Sequence, residues 1–110
     1  MTATLGWNSP IKEIAVSVFA VEYRYDHRAD ERTVVRPAHR AFLGTLLEAG
    51  SLLASGPLED GEGALLLIVA PDADAALALL DSDPFQEAGL VTDRQARAWA
   101  PVIGPWVHLV

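Results

Sequence analysis

His39 and Asp83 are the side chains of this sequence best suited to moving a proton. His39 stands in the run Arg36-Pro37-Ala38-His39 and Asp83 in Asp83-Pro84-Phe85. An imidazole and a carboxylate are the minimal parts of a general acid/base pair, because imidazole gains and loses a proton near neutrality and a carboxylate can orient and charge-balance it. Little else in the chain is reactive. There is no cysteine, which excludes thiolate catalysis, disulfides and sulfur-ligated metals. His27, His39 and His108 lack HxH, HxxxH or HxxE spacing, so no metal is expected. Without GxGxxG, P-loop or GxSxG motifs, no cofactor is expected either. Tyr23 and Tyr25, Ser55 ahead of Gly56, and Arg36 are candidate substrate contacts: hydrogen-bond donors, a small polar wall and a holder of anions. Each also has a plain reading. Strand aromatics usually pack, a helix-end arginine usually pairs, a boundary histidine usually bonds backbone, and a turn aspartate usually accepts amides.

The elements that must position these groups follow from local pattern. Residues 14–25 are β-branched and aromatic without Gly or Pro, which predicts a strand. Arg36 precedes a proline and is biased away from helix, while Pro37 suits a first helical position, so a helix is expected over 37–49, with Gly50 as its left-handed terminator. On it, His39 shares a face with Leu43 and Leu46 and points toward the sheet. At a helix start the macrodipole opposes imidazolium and a nearby carboxylate favours it. Residues 52–56 and 64–70 read as strands joined by an acidic, Gly-containing turn. Asp72 and Asp74 open a second helix over 75–80, which Pro84 stops. Residues 85–90 form a turn or brief helical piece, and 94–103 a last strand in which Pro101 marks an edge or bulge. The order is βαββαβ, a ferredoxin-like α+β plan with an antiparallel sheet and two helices on one face.

That plan leaves apolar surface over. In the first strand Ile14, Val16 and Val18 point one way and Ala15, Phe19 and Val21 the other, and the run Ala64 to Ala70 is apolar on both sides. Two helices cover one face. Leaving the other wet forfeits several kcal/mol at about 25 cal/mol per Å², so a homodimer with face-to-face sheets is expected.

The 110 residues, 51% hydrophobic and 21% charged, suit one folded domain. The net charge of −7 repels a phosphate backbone, so nucleic acid is not an expected partner. No apolar run reaches the roughly 20 residues that span a bilayer, and the N-terminus lacks the pattern of a signal peptide. A cytoplasmic protein is expected, with an N-terminal extension over 1–10, a domain over 11–105 and a tail over 106–110.

Taken together, Arg36-Pro37-Ala38-His39 with Phe42-Leu43, Glu48-Ala49-Gly50, Ser55-Gly56-Pro57, Asp83-Pro84-Phe85 and Ala88-Gly89-Leu90 resemble the YciI-like (YCII-related) family. The resemblance covers nearly all of residues 14–105. It implies a dimeric α/β barrel of ferredoxin-like subunits, similar to muconolactone isomerase, and a His-Asp dyad that falls on His39 and Asp83. One branch of the family is associated with dehydrochlorination of a chlorinated hydroxyhydroquinone. The expected function is therefore a small cofactor-independent lyase or isomerase moving a proton on a small cyclic or phenolic compound. The alternative is a non-catalytic dimeric module that binds a small ligand or a protein.

Overall fold

In the computed structural model, which describes residues 16–108, the chain runs β1 (Ser17–Tyr25), α1 (Ala29–Glu48), β2 (Leu52–Pro57), β3 (Gly63–Ala70), α2 (Ala73–Leu79), α3 (Pro84–Glu87) and β4 (Val91–Trp99). The strands make one antiparallel sheet in the order β2-β3-β1-β4, and the architecture is the expected ferredoxin-like α+β one. The brief piece after Asp83 is a third, four-residue helix.

Alternation along the strands sorts the core. Phe19, Val21 and Tyr23 of β1 stand opposite Ile68, Leu66 and Ala64 of β3. This set joins Leu43 and Leu46 of α1, Ala76 of α2 and Leu80, Phe85 and Leu90 in one buried cluster beneath the helices. The complementary set, Val18, Ala20 and Glu22 opposite Val69, Leu67 and Leu65, looks away from the helices. There Leu65 and Trp99 remain 41% exposed, and Trp106 lies edge-on to Trp99 at 6.4 Å. Ala20, Ala54, Leu65, Leu67, Trp99 and Trp106 line an apolar groove across this second face.

Two expected boundaries are corrected. α1 begins at Ala29, not Pro37, and Pro37 sits inside it. Proline leaves the Thr33 carbonyl without its i+4 donor, but Thr33 and Pro37 are both exposed, so water can satisfy that oxygen. The buried stripe of Arg32, His39, Leu43 and Leu46 then carries the helix through. It ends as expected: Gly50 takes φ +80, its N–H bonds Leu47 O, and Ser51 N–H bonds Leu46 O. β4 occupies Val91–Trp99 rather than 94–103, pairing with β1 from Tyr25↔Val91 to Val18↔Trp99, and Pro101 lies beyond it. Ile14, Ala15 and the expected extension over 1–10 lie outside the described residues, as do the last two positions of the tail. Among the described residues no helix is long and apolar enough to cross a membrane.

Candidate active site

The connection from α2 to β4 carries Asp83 to the buried edge of α1. Asp83 caps α3: its backbone is extended, Pro84 follows at the first helical position, and its Oδ1 accepts the Phe85 N–H at 3.0 Å. Gly89, at φ +73, closes the same short helix, with Leu90 N–H returning to Phe85 O at 3.0 Å. The carboxylate, fully buried, is thereby fixed by its own turn.

Two further groups converge on it. His39 Nδ1 lies 2.8 Å from Asp83 Oδ1 and 3.0 Å from Oδ2, and the Tyr23 hydroxyl donates to Oδ2 at 2.8 Å. A buried carboxylate needs such donors, since leaving it unpaired is strongly destabilising. The imidazole stacks on Phe85, with ring centroids 4.0 Å apart and planes 5° from parallel, so its plane is held as well as one of its nitrogens. Burial, then the Asp83 charge and hydrogen bond, hold the Tyr23 phenol far above its ordinary 10.0.

His39 also lines a cavity of about 460 Å³, within the range of small-molecule sites. Phe85, Leu43 and Leu66 are among its apolar walls, and Arg32, Arg36 and Arg40 among its polar ones. Among the described residues the imidazole bonds Asp83 alone, through Nδ1, which leaves Nε2 as the nitrogen available to a ligand. The arrangement offers a pre-oriented proton acceptor at the wall of a partly apolar chamber.

His39 and Asp83, separated by 44 positions, are brought into contact. His39 is mid-helix instead of at a helix start, so the expected macrodipole effect, confined to the first turn, does not reach it. Arg36 and Ser55 line the cavity. Tyr23, expected as a substrate contact, is not among its lining residues: it is fully buried, and its hydroxyl bonds Asp83. His27 and His108 are exposed, and neither is among the residues lining the cavity.

Tyr25, also expected as a hydrogen-bond donor to a ligand, lines the chamber, as do Arg32, Arg40 and Phe85, to which local pattern assigns no such role. Arg32 lies over the Tyr25 ring at 4.6 Å and donates to Asp26 O at 2.6 Å. Tyr25 in turn meets Phe85 edge-on at 5.6 Å, and burial pushes its phenol up. Asp26 also accepts the Arg28 N–H at 2.9 Å, which holds its carboxyl below the usual range. The available signal was the period of four in Arg28, Arg32, Arg36 and Arg40, which places arginines along one side of a helix only once that helix starts before Pro37.

A family model, the YCII-related domain, matches residues 18–100. No curated protein matches the chain. Among solved structures it is similar to 5-chloro-2-hydroxyhydroquinone dehydrochlorinase (TftG) from Burkholderia phenoliruptrix AC1100 in complex with 2,5-dihydroxybenzoquinone, with a TM-score of 0.62 and 23% identity over 74% of this chain and 92% of that one. A second similarity, with a TM-score of 0.46 and 16% identity over 80% of this chain and 90% of the other, is to an antibiotic biosynthesis monooxygenase-type protein from Bacteroides thetaiotaomicron VPI-5482. At these identities the likeness is one of fold.

Proposed function

The chain belongs to the YCII-related family, and on that premise we propose that it is a small cytoplasmic homodimeric enzyme, a lyase or isomerase that moves a proton on a small cyclic or phenolic compound. The observation that carries this reading is the His39 imidazole, tied through Nδ1 to a fully buried Asp83 while its ring walls a cavity of ligand size. With Nδ1–H donating to the carboxylate, Nε2 presents its lone pair to the chamber and acts as the base. A C–H or O–H proton of the substrate passes to Nε2, and Asp83 balances the imidazolium that forms. In an isomerase the same proton returns at another position of the ring. In a lyase the electron pair left behind expels a leaving group on the adjacent atom. Tyr23 and Phe85 keep the dyad in place, and Arg36 and Ser55 contact the substrate. The reading requires no cofactor.

The test is turnover of a panel of catechols, lactones and chlorinated quinols, the last suggested by the activity of the fold neighbour. His39→Gln and His39→Ala should lower turnover by roughly 10²- to 10⁴-fold, the usual worth of a positioned acid or base, while circular dichroism stays native. A His39 variant as active as the parent ends the assignment. Loss of stability without any substrate in the panel would favour the alternative, a binding module in which the dyad is only structural.

A further inference from the structure

The cavity wall is cationic in a protein that is not. The chain has eight basic residues and a net charge of −7, yet Arg32, Arg36 and Arg40 all line this one chamber beside His39, and among the described residues no carboxylate lines it. The arginines differ in what occupies them. Arg28 and Arg32 share the one carboxylate of Asp26, at 2.7 and 3.7 Å, and Arg32 also lies over Tyr25. Arg36 and Arg40 pair with no acidic side chain among the described residues. Like charges four residues apart on a helix repel, so this spacing weakens α1 unless something negative sits against it. Arg36 is half-buried and Arg40 exposed, and both line the chamber together with apolar side chains, an arrangement that attracts an anion.

We propose that the substrate is an anion: a planar ring bearing an ionised oxygen acid, held by Arg36 and Arg40 with its ring against Leu43, Leu66 and Phe85 and its reactive position toward His39. This deepens the enzymatic reading and rests on it for the last clause alone. Guanidinium forks suit both oxygens of a carboxylate and the single oxygen of an acidic ring hydroxyl, so both sources are to be tried.

The experiment is equilibrium titration of the full chain with benzoate against neutral benzamide, and with 4-nitrophenolate against nitrobenzene, at pH 8 and at low and high salt. At least one anion should bind at least about tenfold more tightly than its neutral partner, a difference of about 1.4 kcal/mol, and weaken as salt rises. Arg36→Met and Arg40→Met, which keep the aliphatic stems, should each weaken the anion by about fivefold to tenfold and leave the neutral compound unchanged. His39→Gln should bind the anion within about threefold of the parent, which separates this inference from the assignment of the base. Equal affinities for anion and neutral partner, a double arginine variant that binds as well as the parent, or no anion bound by about 10 mM each overturn it.

Discussion

Asp83 is a fully buried carboxylate with three donors: the His39 ring, the Tyr23 hydroxyl and the Phe85 amide. Hydrogen bonds to a charged group contribute roughly 1.5–3 kcal/mol each, so Tyr23→Phe should destabilise the fold by about that much. It should also change the alkaline limb. The Tyr23 phenol is held above its ordinary 10.0, so in the folded chain it keeps a proton that the unfolded chain releases. Its contribution to stability is therefore fully present below about pH 10 and is lost as pH rises from there toward the raised folded value, at up to about 1.4 kcal/mol per pH unit. Tyr25, the other tyrosine, is shifted the same way. In denaturant both should ionise near the ordinary value, and in the native protein tyrosinate absorbance should rise only above it. Tyr23→Phe should flatten the fall in unfolding free energy between pH 10 and about 11.5; an unchanged slope, or tyrosinate of both residues at the ordinary value in the native protein, contradicts the buried Tyr23–Asp83 contact.

At the scale of elements, α1 decides the site. Twenty residues of one helix present His39 to Asp83 and Arg36 and Arg40 to the cavity, while Pro37 interrupts its hydrogen-bond ladder on the exposed side. Proline in a helix interior is worse than alanine by about 3 kcal/mol, and hydration of the Thr33 carbonyl recovers only part of that. Pro37→Ala should therefore raise stability by about 1–3 kcal/mol, seen as a higher urea midpoint at unchanged slope. A lower midpoint would mean that the chain relies on the bend or stiffness proline imposes next to His39.

At the scale of the whole molecule, the helices cover one face of the sheet and leave the other with half-exposed Leu65, Trp99 and Trp106 around an apolar groove. A second copy packed on that face is the proposed partner. Sedimentation at micromolar concentration should give twice the chain mass, and Leu65→Arg, which places a charge between the paired sheets, should halve it without unfolding the subunit. A parent that sediments as a monomer removes the dimer from the proposal.

Local pattern by itself determined a good deal here: the order of strands and helices, the Gly50 stop and Asp72 cap, the two-sided apolarity of β3, and the residue types of an acid/base pair. These are legible because strand alternation, caps and terminators are fixed by neighbours a few positions apart. The start of α1 was not, since proline forbids a helix interior locally and is overruled there by a stripe buried against the sheet. Nor could spacing join His39 or Tyr23 to Asp83: 44 and 60 positions separate those partners, and only tertiary packing brings them within 3 Å. Tertiary structure also decided which arginines meet a carboxylate and which line the cavity without one, because a side chain's partner is a matter of where the backbone folds back, not of its place in the chain.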